Sequence, residues 1–198
     1  MKKLVAALLL FSAAVTPTLA ADQGGYVAVD IGRATLSGAD FGGNFGNLTF
    51  PNPGTIHLDG GYHFDRNFGI EGGLVLNGDS TLNSLQGGVA ATETLKTSAV
   101  YIAAVGTLPL SDQFDLFGKL GLSSIGVDYS SNAFGSLTQS QGNIMYGLGA
   151  QVNVSRNIGI RLQYENFGKV DFPTGTFGLP RTISVGLSTV TVGGVFSF

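Results

Sequence analysis

Six charged residues occur inside apolar or glycine-rich segments of the chain, and these residues are the ones best placed to do chemistry. They are Asp30, Asp59, Glu71, Lys119, Arg161 and Glu165. A buried charge is tolerated only when opposite charges and hydrogen bonds surround it. We expect Arg161 to neutralise Glu71, and Lys119 to lie beside Asp59 or Glu165. Four acids against two bases leave a deficit that water, histidine or a neutral carboxyl group must cover.

The two histidines, His57 and His63, are the candidate general bases. Each is followed two residues later by an aspartate, Asp59 or Asp65, and not by a serine. A serine nucleophile needs a base within hydrogen-bond reach, oriented by a third group. The sequence places no serine in that relation, so the pattern favours histidines that titrate beside carboxylates inside the protein.

Cofactor and metal sites are not indicated by the sequence. The chain has no cysteine, which excludes thiolate chemistry and disulfides. The segment Gly147-Leu-Gly149 lacks the third glycine and the helix of a dinucleotide-binding loop. The acidic residues do not follow calcium-loop spacing. We therefore predict no catalytic residue, no cofactor-binding residue, no metal ligand and no bound cofactor.

The segments that position these residues alternate apolar and polar side chains with the period of two that is typical of β-strands. In one of them, Ile56, Leu58 and Tyr62 face one way, and His57 and Asp59 face the other. The pattern predicts strands at 25–33, 55–64, 68–77, 95–108, 114–123, 143–154, 158–166 and 183–198. Segment 100–105 is apolar on both faces, so the sides of the fourth strand stay unassigned.

The connections between these strands alternate in length. Three are tight, at 65–67, 109–113 and 155–157, and four are long, at 34–54, 78–94, 124–142 and 167–182. This alternation is typical of an up-and-down barrel with tight turns on one side of a membrane and long loops on the other. Strand edges cannot face lipid unpaired, so the sheet must close. We predict an all-β fold, an eight-stranded antiparallel up-and-down transmembrane β-barrel.

The six charges then lie in the barrel lumen. An eight-stranded barrel has an interior just wide enough for side chains to fill. We interpret the charges as an ionic plug that fills the lumen and fixes the strand register. A role in transport is the alternative.

Both termini support export to a membrane. The sequence predicts a secretory signal peptide at 1–20, followed by the barrel domain at 21–198. The signal consists of Met1-Lys2-Lys3, an apolar run from Leu4 to Val15 and small residues up to Ala20.

The net charge argues against a nucleic-acid partner. Without Lys2 and Lys3 it is 8 minus 13, or −5. Aromatic residues close to the tight turns predict an interfacial girdle. These are Tyr26, Tyr62, Phe64, Phe68, Phe114, Phe196 and Phe198.

Several segments resemble the OmpA-like, opacity-type outer membrane β-barrel family of Gram-negative bacteria. They are the turn-then-aromatic units at 63–71 and 154–161, Leu108-Pro-Leu110, segment 116–121 and the terminal Phe198. The resemblance implies that Phe198, with Phe196, is the assembly signal read by the barrel-assembly machinery. Because the sequence stops at Phe198, we expect no periplasmic peptidoglycan-binding domain of the kind that larger relatives carry. We predict a monomer surrounded by outer membrane lipids.

The long loops leave the function open. They carry the aromatic residues Phe41, Phe45, Phe50, Phe134, Phe172 and Phe177, which either form an exposed interaction site or pack on one another and the barrel rim. Lys169 and Arg181 are the only bases of the last loop, so a polyanion-binding surface is not indicated. We predict a non-enzymatic barrel with a structural or surface-contact, adhesion-like role. The alternative is a narrow porin-like channel for small solutes, and a lipid-modifying barrel enzyme is disfavoured.

Overall fold

The protein is an all-antiparallel β-barrel in the computed structural model, which describes residues 23–37, 51–86, 89–132, 135–172 and 183–198. The strands are β1 (Gly24–Ser37), β2 (Gly54–His63), β3 (Phe68–Asn77), β4 (Ser80–Gln86), β5 (Val89–Pro109), β6 (Phe114–Ser131), β7 (Gly135–Asn153), β8 (Ile158–Phe172) and β9 (Ile183–Ser197). No helix in the described ranges is long and apolar enough to cross a membrane. The predicted signal peptide lies outside these ranges.

Nine strands make an eight-stranded barrel because β3 and β4 share one position in the wall. β3 pairs with the lower part of β5, from Phe68 opposite Gly106 to Leu76 opposite Ser98. β4 pairs with the upper part of the same strand, beginning with Ser80 opposite Leu95. Pairing of β1 with β9 closes the cylinder. The predicted fold class is thereby confirmed.

The three tight turns use one local mechanism. In the first, Asp65 Oδ1 accepts hydrogen bonds from the backbone N–H groups of Asn67 (2.7 Å) and Phe68 (2.8 Å). The hydroxyl oxygens of Ser111 and Ser155 accept equivalent bonds in the other two turns. A short polar side chain that satisfies its own backbone two and three residues ahead favours a turn over continued extension.

Two of the predicted long loops are wrong, because the strands continue through them. β6 extends to Ser131 and β7 begins at Gly135, so segment 124–142 is nearly all strand. Segment 78–94 is likewise taken up mainly by β4 and the start of β5, and β8 continues to Phe172. Serine, threonine and glycine on the outward face of these extensions resemble loop composition, which is why the alternation was missed. Segments 38–50 and 173–182 lie outside the described residues.

The two faces of the wall exchange character partway along the long strands. On β6 the outward Leu120 and Leu122 are 64% and 63% exposed, whereas the next outward residues are polar, beginning with Ser124. The inward face changes in the opposite sense, from Lys119 to the buried Ile125. The lower part therefore has the pattern of a wall in lipid, and the upper part has the pattern of a sheet in water.

The same exchange occurs at one level around the wall. The last outward apolar side chain is Ile31 on β1, Val100 on β5, Ile144 on β7 and Val190 on β9, and small, polar or charged residues follow above each. Segment 144–154, from the middle of β7 into the tight turn that follows it, covers the apolar band. It rises about 34 Å along the strand, which corresponds to roughly 25 Å across the membrane at the usual strand tilt.

Two expectations about side-chain direction change in the structure. Tyr26 is not a girdle residue, because it is 4% exposed and points into the lumen, where its hydroxyl has a carboxylate partner. The other six predicted girdle residues are exposed on the outer wall. The sides of the fourth barrel strand, which the sequence left unassigned, are clear in the structure. Tyr101 and Ala103 face inward, and Val100 and Ile102 face outward.

Candidate functional site in the barrel lumen

Arg161 on β8 is the centre of the lumen cluster. Its Nε and Nη2 atoms donate to the two oxygens of Asp30, at 2.9 and 2.6 Å. Its Nη1 atom donates to Glu71 Oε2 at 2.8 Å, and Nη2 also contacts Asp59. Arg161 is 2% exposed, and its guanidinium binds three carboxylates from three strands. The sequence anticipated only the Glu71 contact.

Lys119 on β6 forms the second cationic centre. Its Nζ atom lies 2.5 Å from Glu71 Oε1, 2.8 Å from Glu165 Oε1 and 2.7 Å from the side-chain oxygen of Gln163. An ammonium group has three N–H donors, so these contacts use all of them. Of the two predicted partners, Lys119 has Glu165 and not Asp59; Glu71 is the additional one.

Glu71 joins the two cations into one network. Besides Arg161 and Lys119, it accepts a hydrogen bond from the hydroxyl of Tyr26 at 2.8 Å. The hydroxyl of Tyr101 lies 2.5 Å from Glu71 Oε1 and 3.0 Å from Asp59 Oδ1. The four acids and two bases carry a formal charge of −2. Neutral hydroxyl donors therefore share in stabilising the excess of carboxylates.

The histidines occupy different levels of the lumen. His57 is fully buried, and its Nδ1 lies 3.1 Å from Glu165 Oε2. His63 lies nearer the tight turns and stacks on the ring of Tyr26, with centroids 4.9 Å apart. Asp65, which follows His63 in sequence, is occupied by the first tight turn.

Three members of the network were missed by sequence reasoning. Tyr26, Tyr101 and Gln163 all have inward parity, but an uncharged side chain in an alternating strand gives no sign that it is needed inside. Gly73 was also missed. A side chain at Gly73 would overlap the positions of Asp59 and Tyr101, so the absence of a Cβ there makes room for their contact. Inward-facing glycine beside a charged residue is the signal that could have indicated this.

An apolar layer fills the lumen above the charged cluster. Its buried members include Val75, Leu95, Ile125, Val127, Met145, Phe167, Val170, Phe172, Val185 and Leu187. Phe172, which the sequence left open as an exposed aromatic, is thus buried in this layer. The other loop aromatics, Phe41, Phe45, Phe50, Phe134 and Phe177, lie outside the described residues.

A β-bulge in β8 places Phe167 at the boundary between the two layers. The register with β9 shifts between Asn166 and Gly168, and Gly168 has a φ of +94°, which favours glycine. The Asn166 side chain accepts the Gly168 N–H at 3.0 Å. The bulge lets the side chains of Phe167 and Val170 both point inward, so the strand changes from charged to apolar residues without losing contact with the core.

A small polar group lies at the top of the apolar layer, above the band of outward apolar residues. Glu93 and Tyr129 are buried here and share a hydrogen bond. Burial raises the pKa of the Glu93 carboxyl, and burial together with the nearby Glu93 charge raises the pKa of Tyr129 to about 12. This buried environment favours the protonated, neutral form of the Glu93 carboxyl.

The chemistry available to the lumen is charge neutralisation and space filling. Every carboxylate of the cluster has a cation within ion-pair distance. Lys119 uses all three of its N–H donors, and Arg161 uses four of its five. Within the described ranges, no group of three or more histidine, aspartate or glutamate side chains has the arrangement to hold a metal ion. Phe196 and Phe198 lie on the outer surface beside the start of β1, with their ring centroids 6.4 Å apart.

Known structures share this architecture at low sequence identity. Neisserial surface protein A has a TM-score of 0.60 and 14% identity, over 88% of this chain and 97% of that one. Ail, the attachment invasion locus protein of Yersinia pestis, has been solved in complex with the heparin analogue sucrose octasulfate. It gives a TM-score of 0.53 and 20% identity, over 88% and 99%. OprG from Pseudomonas aeruginosa gives 0.51 and 13%, over 89% and 93%.

At these identities the structures show a shared fold and nothing finer. No curated protein matches the chain in sequence. The family model described as "Outer membrane protein beta-barrel domain" matches residues 4–192. That match, the closed eight-stranded wall and the outward apolar band together establish that the chain belongs to the outer membrane β-barrel family.

Proposed function

We propose that this protein is a closed, non-enzymatic outer membrane barrel that anchors an extracellular β-sheet for surface contact. The observation that carries the proposal is the filling of the lumen in two layers, one of ion pairs and one of apolar side chains. The proposed partners are outer membrane lipids, the barrel-assembly machinery during biogenesis and a surface partner outside the cell. We further propose that it acts as a monomer.

The ionic layer supports closure because its groups are held from several sides. Arg161 and Lys119 project from β8 and β6 and meet carboxylates from β1, β2, β3 and β8. Removing one partner of such a buried pair leaves an uncompensated charge, so opening this layer is costly. The apolar layer adds a second barrier, because an ion that crosses it loses hydration without gaining polar partners.

The wall above the apolar band supports a role in surface contact. β6 and β7 continue there as a paired hairpin to Ser131 and Gly135, well past the last outward apolar residues Leu122 and Ile144. A structural plug for the membrane would not need this extension. Among the structural neighbours, Ail is named for attachment and invasion, and NspA is named as a surface protein.

A polyanion is not the partner that the described surface favours. Three bases face outward above the apolar band in the described ranges, Arg33, Lys96 and Lys169, and both lysines have an acidic neighbour. The Lys96 Nζ lies 3.1 Å from Asp79 Oδ2, and the Lys169 Nζ lies 3.5 Å from Asp171 Oδ1. Although Ail has been solved with a heparin analogue, these pairs support a neutral polar partner for this chain.

Conductance in a planar lipid bilayer tests the closed barrel against the narrow channel. We expect the purified, folded protein to give no steady single-channel current above the lipid baseline. A regular current in wild type would overturn the closed barrel and support the solute channel.

A hairpin exchange tests surface contact separately. Cells that carry the wild-type barrel should adhere to a host-cell or matrix-coated surface more than cells that carry a barrel whose segment 126–140 is replaced by a tight turn. A matched control replaces the tight turn 155–157, which lies at the opposite end of the wall. Equal adhesion by wild type and the shortened hairpin, with equal surface display, would contradict the role of this extension.

A further inference from the structure

The outer wall carries a shallow groove at the level where its apolar band ends. The groove has a volume of about 660 Å³ and crosses β5, β6 and β7. It forms because Ser124 and Gly142 project less from the wall than Leu122 and Ile144 below them. We call this feature the rim groove. Its outward lining consists of two rows of paired residues, Ile102, Leu122 and Ile144 below and Val100, Ser124 and Gly142 above.

The position of the rim groove indicates what fills its lower part. Ile102, Leu122 and Ile144 are exposed members of the outward apolar band, which has the pattern of a wall in lipid. An empty groove would deprive these side chains of van der Waals contacts, and water in it would find few polar partners. Because the groove is continuous with the lipid-facing band, a lipid acyl chain is the occupant that fits it.

Hydroxyl groups border the upper side of the rim groove. Ser124 lies in the groove itself, and the next row of outward residues consists of Ser98, Gly126 and Ser140. The Ser98 hydroxyl oxygen lies 3.5 Å from the position that a Cβ atom would take at Gly126, so the glycine leaves room beside this hydroxyl. Hydroxyl groups both donate and accept hydrogen bonds, which matches the hydroxyl groups of a sugar.

The charge of this face disfavours an anionic headgroup. Between Gly78 and Ile144, the exposed charged residues above the band in the described ranges are Lys96, Asp79 and Asp128, with a formal charge of 1 minus 2, or −1. Lys96 already has Asp79 at 3.1 Å, and Asp128 is directly opposite Lys96 on β6. A phosphate placed here would be repelled by the net negative charge, whereas an uncharged sugar would not.

We propose that the rim groove binds a glycolipid of the outer leaflet, with one acyl chain in the groove and an uncharged sugar headgroup on the hydroxyl groups of Ser98, Ser124 and Ser140. The proposal rests on the outer membrane lipids proposed above as partners, and it adds one site and one class of lipid. The two halves of the site agree in position, because the serine hydroxyls begin where the apolar lining ends.

Tryptophan fluorescence in vesicles tests which lipid lies at the rim groove. The chain has no tryptophan, so a single Tyr146→Trp change on β7 places one reporter just below the groove. The matched control is Val192→Trp on β9, which is likewise exposed and one outward residue below the end of the apolar band. The quenchers are diglucosyldiacylglycerol and phosphatidylglycerol with the same brominated acyl chains, each at the same low mole fraction in phosphatidylcholine.

We expect the brominated glycolipid to quench Tyr146→Trp about fivefold more than brominated phosphatidylglycerol does, which corresponds to one net hydrogen bond to the sugar. Val192→Trp should be quenched equally by the two lipids. Equal quenching of Tyr146→Trp by both lipids would overturn the glycolipid site while leaving the lipid-embedded barrel intact. If neither lipid quenches either reporter, the wall does not face lipid, and the membrane location fails together with the site.

A second measurement fills the groove. Native mass spectrometry of the folded barrel, given both lipids in detergent, should show one retained diglucosyldiacylglycerol on wild type and none on Gly142→Phe. The control Gly118→Phe adds the same ring to the outward face of β6 nearer the tight turns and should retain the glycolipid. At both glycines the nearest atom to an added Cβ is 3.9 Å away, so the two changes fit the backbone equally well. Equal retention by the two variants would overturn the site.

The headgroup half of the site has its own variant. Ser98→Ala combined with Ser140→Ala leaves the apolar lining unchanged and removes two hydroxyl groups. We expect this double variant to retain diglucosyldiacylglycerol and phosphatidylglycerol to the same extent. An undiminished preference for the glycolipid would refute the assignment of the sugar to these serines.

Discussion

Replacing Arg161 with alanine is the sharpest test of the lumen cluster. The change removes four hydrogen bonds to three carboxylates and takes the formal charge of the cluster from −2 to −3. Breaking a buried ion pair costs about 3–5 kcal/mol, and we expect the upper end because one guanidinium serves three partners. The control is Arg66→Ala in the exposed first turn, which should change the free energy of unfolding by less than about 0.5 kcal/mol.

A second substitution shows whether the loss comes from charge. Asp30 is the best partner, because its side-chain hydrogen bonds in the described structure come from Arg161 alone. Glu71 also binds Lys119 and two tyrosines, so removing it would disturb the rest of the network. Arg161→Ala with Asp30→Asn restores the formal charge of −2 and should recover about 1–3 kcal/mol relative to the sum of the single changes.

The assay is urea unfolding of the barrel in lipid vesicles, followed by the heat-modifiable shift in gel mobility. A cluster that stabilises the barrel should lower the urea midpoint of Arg161→Ala with little change in slope. The reasoning is refuted if Arg161→Ala unfolds at the same midpoint as Arg66→Ala. It is also refuted if the Asp30 and Arg161 effects are simply additive.

Three further predictions concern the two ends of the barrel. Protease added to intact cells should cut between Ser37 and Pro51 and spare the tight turns at 65–67 and 155–157, as judged by the fragment masses; cutting confined to those turns would invert the topology. Deleting Phe198 should lower the amount of heat-modifiable barrel in outer membrane fractions. The deletion removes an aromatic anchor and the hydrogen bond from the Phe198 N–H to the Gly25 carbonyl (2.9 Å). An unchanged amount would count against a role of Phe198 in assembly. The folded-state pKa of Glu93 is raised, so the contribution of Glu93 to stability is lost as the pH rises through that pKa. The melting temperature of Glu93→Gln should therefore exceed that of wild type at pH 8 but not at pH 4. The same difference at both pH values would contradict this.

Periodicity was enough to predict the wall of the barrel, and it failed where composition misleads. The alternation of Ile56, Leu58 and Tyr62 with His57 and Asp59 identifies a strand and its two sides without any tertiary information. The strands in segment 124–142 have the same alternation, but their outward residues are small or polar, such as Ser124 and Ser140, and the apolar Ile125, Val127 and Leu137 face inward. In lipid the apolar residues of a strand face outward. A search for that pattern misses strands whose apolar residues face inward.

The cluster was anticipated in membership and only partly in geometry. Inward parity brings Asp30, Glu71 and Arg161 into one lumen. Parity does not say which carboxylate accepts two hydrogen bonds from the guanidinium of Arg161. That depends on shear between strands and on room made by residues such as Gly73. The bulge at Asn166 and Gly168 could not be predicted either, because a shift of one residue leaves the hydrophobic pattern on both sides intact.

The exchange of faces along β6 and β7 has a consequence for how the barrel is made. Before insertion, a hairpin with apolar residues on opposite sides of its two halves has no single surface that a membrane would accept. Its outer half, with Ser124, Ser140 and Gly142 facing outward, must pass through the bilayer to reach water. Strands that cross already paired hide their backbone groups during that passage, whereas single strands would expose them to lipid. The β6–β7 hairpin should therefore translocate as one unit, and its length sets how far an unfinished barrel must stay open.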